Sequence, residues 1–229
     1  MRVMHEAGVE GARVARGVVV VIDVLRAFTV SAFAFARGAP ESLLVRSVDE
    51  ALQLQERFPG SVVSAEVGGR PIPGIPISNS PTQVRSLDLD GRRLIQRTSA
   101  GTQGVAAATA ADELLAGSVV VASATAALVR QLVDDLVTLV AMGEPSGHHE
   151  DRACALYLEA LLAGQRPDLE RLLEPLRQSE RYRRLAAGRE PGFPASDLEL
   201  ALVPDRFDFA MQVHREDGLL KLRPARAGA

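Results

Sequence analysis

Aromatic residues, lysine and cysteine are all scarce in this chain of 229 residues. Only 4% is Phe, Tyr or Trp, tryptophan is absent, Lys221 is the only lysine and Cys154 the only cysteine. A lone cysteine cannot close an internal disulfide, so a disulfide-stapled secreted scaffold is excluded and a reducing setting, the cytoplasm, is expected. No run reaches the roughly 18 uninterrupted apolar residues of a membrane-spanning helix. The first sixteen residues, with His5, Glu6, Glu10, Arg13 and Arg16, lack the apolar core of a signal peptide. Positive charge is in deficit, with 26 basic against 29 acidic side chains and a net charge of -3. That balance lacks the basic footprint of a nucleic-acid binder, so neither nucleic acid nor membrane is an expected partner. The near-absence of lysine beside abundant Ala and Gly reads as genomic base composition, so only individual arginines carry information.

What is present is apolar: 47% of the residues are hydrophobic, enough to bury a large core. Residues 17–23 form a β-branched run, the signature of a strand buried on both faces. A helix is expected over Ala27–Arg37, ended by Gly38 in a left-handed cap. Further strands are expected at 43–45, 61–65, 93–97, 119–122 and 137–142. Helices are expected at about 47–58, opened by a capping-box pattern at Ser47 and Glu50, then at 102–115, 124–133 and 149–162. A turn is expected at Pro145-Ser146-Gly147. Strands alternating with helices predict an α/β fold, a three-layer α/β/α arrangement around a mostly parallel sheet. Residues 1–229 are expected to form a single domain, with 165–229 as a C-terminal appendage packed on the main sheet.

Residues 66–81 break this rhythm with four prolines and three glycines, a density no regular element tolerates. Long loops inside compact domains are often functional. In open α/β sheets ligands bind beyond the carboxyl ends of the strands, and here those ends carry a biased set. Asp23 and Arg26 follow the first strand; Glu66 leads into the Pro/Gly loop with Asn79 and Ser80. Thr98-Ser99-Ala100-Gly101-Thr102 joins a strand to a helix, Ser123-Ala124-Thr125 follows the next strand, and Glu144, Glu150 and Asp151 follow the last. Each has a bland alternative. Asp23 can cap a helix, and Glu150 and Asp151 suit a first helical turn without any chemistry. The Thr98–Thr102 junction can be a plain turn or a phosphate cradle, but it lacks the spacing and lysine of a P-loop. His148-His149 matches no standard zinc spacing. Cys154 lies one helical turn from two acids that oppose thiolate formation, and is expected to be a buried structural residue.

Four stretches, in order, resemble one family. Val20-Val21-Ile22-Asp23-Val24-Leu25-Arg26-Ala27 is similar to the opening strand motif of the 2-phosphosulfolactate phosphatases, magnesium-dependent enzymes of coenzyme M biosynthesis. Glu66-Val67-Gly68-Gly69-Arg70, with Pro73-Gly74 and Asn79-Ser80-Pro81, resembles that family's central loop. Thr98-Ser99-Ala100-Gly101-Thr102-Gln103-Gly104 resembles its Thr/Gly turn, with Ala100 and Gln103 where the family often has Asn and Arg. Glu150-Asp151-Arg152-Ala153-Cys154-Ala155 resembles its acidic-cysteine helix.

The resemblance implies hydrolysis of a small anionic phosphate monoester with Mg2+, (2R)-O-phospho-3-sulfolactate giving 3-sulfolactate and phosphate. Asp23, Glu66, Glu150 and Asp151 become candidate metal ligands or general base, with those roles undivided. Arg26 and the Thr98, Gly101 and Thr102 turn become candidate phosphoryl binders, and Asn79 and Ser80 candidate substrate contacts. The alternatives are a non-catalytic binder of phosphorylated metabolites on the same scaffold, and an oligomeric structural protein. The high apolar fraction is compatible with a homodimer.

Overall fold

The computed structural model describes residues 1–143 and 148–228. The chain opens with strand β1 (Arg2–Ala7) and helix α1 (Gly8–Val14), neither expected from the sequence. Then come β2 (Val18–Ile22), α2 (Ala27–Ala36), β3 (Ser42–Val45), α3 (Val48–Arg57) and β4 (Val62–Val67). All five residues of β2 are buried, as the β-branched run demands. Gly38, at φ 95°, ends α2 in the left-handed region. At the start of α3, Ser47 Oγ accepts from Glu50 N at 3.1 Å, while Glu50 returns its bond to Arg46 N at 2.9 Å. The capping box is thus displaced by one residue on its acidic side.

The Pro/Gly loop is ordered by a two-residue strand, β5 (Arg70–Pro71), antiparallel to β4, and by a short helix, α4 (Pro81–Val84). After β6 (Leu94–Arg97) and α5 (Gly101–Ala107), the structure departs from expectation. The helix expected at 102–115 stops at Ala107, and Glu113–Gly117 forms strand β7, parallel to β2. Glu, Leu and Ala are good helix formers, but Leu114, Leu115 and Ala116 are buried between β2 and β9, and burial outweighs propensity. The strand expected at 119–122 is instead a 3-10 turn, Val119–Val121, leading into α6 (Ala122–Leu132). Ser123 therefore lies inside a helix, where its amide and hydroxyl both donate to Asp205. Strand β8 (Leu136–Ala141) and helix α7 (His149–Leu162) match expectation; Glu144 and the turn expected at Pro145-Ser146-Gly147 lie outside the described residues.

Helices α8 (Leu169–Gln178), α9 (Glu180–Ala186) and α10 (Ser196–Ala201) are followed by the hairpin β9 (Ala210–Glu216) and β10 (Leu219–Ala225). This hairpin does not lie on the sheet as an appendage. It forms part of the sheet's middle, in the order β1-β8-β2-β7-β9-β10-β3-β6-β4-β5. The sheet is α/β in character, mixed and mostly parallel: one parallel block is β1-β8-β2-β7 and the other β3-β6-β4. The antiparallel pairings β7–β9, β9–β10 and β10–β3 reverse the direction three times, so the two blocks run in opposite senses. A single carboxyl edge, as expected from the sequence, is therefore replaced by two. The two edges nevertheless meet, since Gly101 N at the start of α5, after β6, donates to Asp23 Oδ2 just beyond β2. No helix among the described residues is long and apolar enough to cross a membrane.

Candidate functional site

The meeting point of the two blocks is Asp23, just beyond β2. Its Oδ1 accepts from Ala27 N at 3.1 Å and its Oδ2 from Gly101 N at 2.8 Å, tying the start of α2 to the start of α5. A Cβ at Gly101 would come within 2.8 Å of Asp23 Oδ2 and 2.7 Å of Ala27 Cβ, so the absence of a side chain there permits this approach. Asp151, in the first turn of α7, reaches back in the same way. Its Oδ1 accepts from Val24 N at 2.7 Å and its Oδ2 from Gly143 N at 2.9 Å. Both carboxylates are thus held in fixed orientations by the backbone at strand ends.

Glu150 lies fully buried beside them. Its Oε1 accepts from Arg181 Nη1 at 2.6 Å, and its Oε2 has no hydrogen-bond partner among the described residues. Arg181 comes from α9, in a charged helical stretch where nothing distinguished it from its neighbouring arginines. Glu66, at the end of β4, accepts from Ser99 N at 2.5 Å through Oε1 and from Gly69 N at 2.5 Å through Oε2, so it laces the β4–β5 turn to the Thr/Gly turn. That turn is itself closed: Thr98 N donates to Thr102 Oγ1 at 2.9 Å and Thr102 N to Thr98 Oγ1 at 3.0 Å. With Gly101 N on Asp23, these amides orient the acidic site, and the Thr98, Gly101 and Thr102 backbone is held rather than open.

Arg26 is 4% exposed and its Nη1 donates to Gly192 O at 2.6 Å and to Asp197 Oδ2 at 2.8 Å, while its guanidinium stacks over Phe193 at 4.4 Å from the ring centroid. Asp197, fully buried on α10, also accepts from Ser80 Oγ at 2.8 Å and Thr82 N at 3.0 Å through its other oxygen. One carboxylate therefore joins the arginine, the Pro/Gly loop and the C-terminal region. In the sequence Asp197 reads as an ordinary first-turn acid, and its partners are more than 100 residues away. Asn79, at φ 58°, takes the left-handed conformation that Asn tolerates, and its Oδ1 accepts from Gln96 Nε2 at 3.1 Å. Gln96 in turn bonds Ser31 and the carbonyl of Ala27, a buried polar link with no distinct signal in the sequence.

Packing four carboxyl groups together has an electrostatic cost. Burial, opposed by its backbone hydrogen bonds and reinforced by Glu66 and Glu150, pushes Asp23 up to about 6. Burial raises Glu150 despite Arg181, and burial together with Glu150 and Asp23 holds Asp151 well above the usual carboxylate range. The consequence for stability has a definite sign. With its folded value above its unfolded one, Asp23 favours folding below about pH 4 and loses that contribution as pH rises through about 6. A shift of this size corresponds to about 3 kcal/mol. In EDTA, the urea midpoint is expected to fall between about pH 4 and 6, and Asp23→Asn to flatten that slope. An unchanged slope in the variant would assign the titration elsewhere.

Cys154 is buried on the core side of α7, and burial, with Asp151 and Asp205, pushes its thiol well above the ordinary range. A neutral buried thiol is a poor nucleophile. Cys154→Ala is expected to keep turnover within a few-fold; trapping of a phosphocysteine would contradict this. His148 is lowered to about 4 by burial, then by Arg181 and His149, so it is neutral at pH 7. Among the described residues no group of three or more His, Cys, Asp or Glu converges as a metal-binding cluster.

Comparison with known proteins identifies the family to which the chain belongs. The family model described as 2-phosphosulpholactate phosphatase matches residues 4–216. A probable 2-phosphosulfolactate phosphatase of Bacillus subtilis (strain 168) is 34% identical over 201 residues, covering 87% of each chain. One of the same description from Carboxydothermus hydrogenoformans is 37% identical over 148 residues, 65% of this chain and 61% of the relative. A third, from Caldanaerobacter subterraneus subsp. tengcongensis, is 29% identical over 208 residues, 83% of this chain and 85% of the relative. With the match running from β1 through β9, the chain belongs to the 2-phosphosulpholactate phosphatase family.

Proposed function

We propose that the protein is a cytoplasmic, Mg2+-dependent phosphatase that hydrolyses (2R)-O-phospho-3-sulfolactate to 3-sulfolactate and phosphate. The observation that carries this reading is that Asp23, Glu150 and Asp151 are buried within one another's electrostatic field, with Glu66 acting on Asp23, while their side chains do not converge on one point among the described residues. Carboxyl groups whose pKa values are raised by burial and by one another mark a functional-site candidate, and a bound cation would balance their charge. The donor chemistry fits magnesium, a hard ion that takes oxygen ligands, keeps several waters and needs only one or two carboxylates besides substrate phosphate. Glu150 Oε2, buried and without a partner among the described residues, is the candidate donor atom, with Asp23 and Asp151 as its companions. When bound, the ion neutralises phosphoryl charge and lowers the pKa of an attacking water.

The remaining work falls to the chain. Water attacks phosphorus, the ester P–O bond breaks, and the departing alkoxide takes up the proton given up by the attacking water to become the hydroxyl of 3-sulfolactate. The carboxylate of the cluster that is not engaged by the cation accepts the proton from the attacking water. Arg26 uses Nη1 for Asp197 and Gly192, and among the described residues its Nε and Nη2 make no hydrogen bond, so they can donate to a phosphoryl oxygen. Asn79 and Ser80, fixed by Gln96 and Asp197, hold the Pro/Gly loop against that arginine. Arg181, bonded to Glu150, adds a second guanidinium suited to a substrate with more than one anionic group.

Specificity for the sulfonate is tested by comparing 2-phosphosulfolactate with 2-phospholactate, which lacks it. The sulfonated substrate is expected to have at least about tenfold higher kcat/KM, the effect of one charged contact of about 1.4 kcal/mol. Equal values would remove sulfonate recognition from the reading. Tight binding without phosphate release would favour the non-catalytic binder, for which Ala100 and Gln103 in the Thr/Gly turn speak.

A further inference from the structure

The two edges of the sheet are unlike. The β5 edge is two residues long, contains Pro71 and cannot template another strand. The β1 edge, Arg2–Ala7, is six residues long without proline and pairs with β8 alone. Arg2 N donates to Asp135 O of the strand connection at 2.6 Å, so the backbone groups of Arg2, Met4 and Glu6 face inward to β8. By alternation, those of Val3, His5 and Ala7 point outward to the free edge.

We propose that this edge is the interface of a homodimer, in which β1 pairs antiparallel with β1 of a second copy about a twofold axis at Met4. In that register Val3 and His5 of opposite copies exchange both backbone hydrogen bonds, which uses the outward groups. Arg2 and Glu6 fall opposite each other twice, at non-hydrogen-bonded positions where side chains approach closest. Neither charge has an ion-pair partner among the described residues within its own chain. The other twofold registers with the outward groups in place centre on Val3, His5 or Glu6, and none of them sets Arg2 against Glu6. Charge complementarity thus selects the Met4 register. It also covers Met4, which is 42% exposed on the strand. On the opposite face the second copy approaches the groove between β1 and α7, a cavity of about 530 Å³ lined by His5, Arg152, Leu156 and Glu159 among others.

The test is sedimentation velocity of the full chain and of Arg2→Glu, Glu6→Arg and the double reversal. The wild type is expected to be a dimer at micromolar concentration. Each single reversal sets two like-charge pairs across the axis and should raise the dissociation constant by about tenfold or more, while the double reversal restores it. Hydrogen exchange provides a second reading, with the amides of Val3 and His5 protected in the dimer and open in the weakened variants. A monomeric wild type, a dimer indifferent to both single reversals, or single effects without rescue would each overturn the proposal.

Discussion

Asp23→Asn is expected to lower kcat by about two to four decades while the fold is kept, the range for losing a charged catalytic group. The side chain stays the same size, so the contact with Gly101 survives. The amide has one acceptor oxygen where the carboxylate has two, so it can satisfy either Ala27 N or Gly101 N but not both. That loss costs about 1–3 kcal/mol. It is offset at pH 7 by removal of a buried charge whose pKa stands at about 6. Turnover and stability should therefore separate: activity collapses, and the urea midpoint at pH 7 moves little. Near-normal turnover would leave Asp23 as a cap for α2 and take it out of the chemistry. A large stability loss with parallel loss of activity would show that its role is to join α2 to α5.

The largest stability effect is expected at Asp197. Removing its carboxylate leaves Arg26 buried with no counter-ion and strips Ser80 Oγ and Thr82 N of their acceptor. Breaking one side of a buried pair costs about 3–5 kcal/mol, chiefly through the uncompensated charge. For a chain of this length each kcal/mol moves Tm by about 2–4 °C, so Asp197→Ala should melt on the order of 10 °C lower. Replacing both partners, Arg26→Met with Asp197→Leu, should recover much of that stability and none of the activity. Calorimetry on the two variants decides. If Asp197→Ala melts within a degree or two of the wild type, Asp197 does not balance Arg26 and the C-terminal region is not anchored through it.

What the sequence disclosed and what it concealed follow a physical division. Local chemistry was legible: the β-branched run at 18–22, the glycine stop at Gly38, the Ser47 cap and the acids of α7 each act within a few residues of themselves. The motif residues Asp23, Glu66, Thr98 and Asp151 were visible because they sit at strand or helix ends next to turn chemistry. Long-range packing was not legible. Glu113–Gly117 has a helix former's composition and is a strand only because β2 and β9 flank it, while Val119–Val121 has a strand's composition and begins a helix. The C-terminal hairpin has no marker that would set it inside the sheet between β7 and β3, and the reversed sense of the two blocks follows from that insertion. Arg181 and Asp197 escaped for the same reason. Their importance lies in partners, Glu150 and Arg26, that are 31 and 171 residues away along the chain.

We propose that the buried carboxylates serve phosphate hydrolysis through a divalent cation. The most direct measurement is phosphate release from (2R)-O-phospho-3-sulfolactate by the purified chain, first with millimolar Mg2+ and then after exchange into EDTA. Turnover is expected with magnesium, loss of at least about 99% of it in EDTA, and recovery when magnesium is returned, in keeping with the several kcal/mol a metal supplies to the transition state. Undiminished phosphate release in EDTA, or none under either condition from a folded protein, would contradict the account.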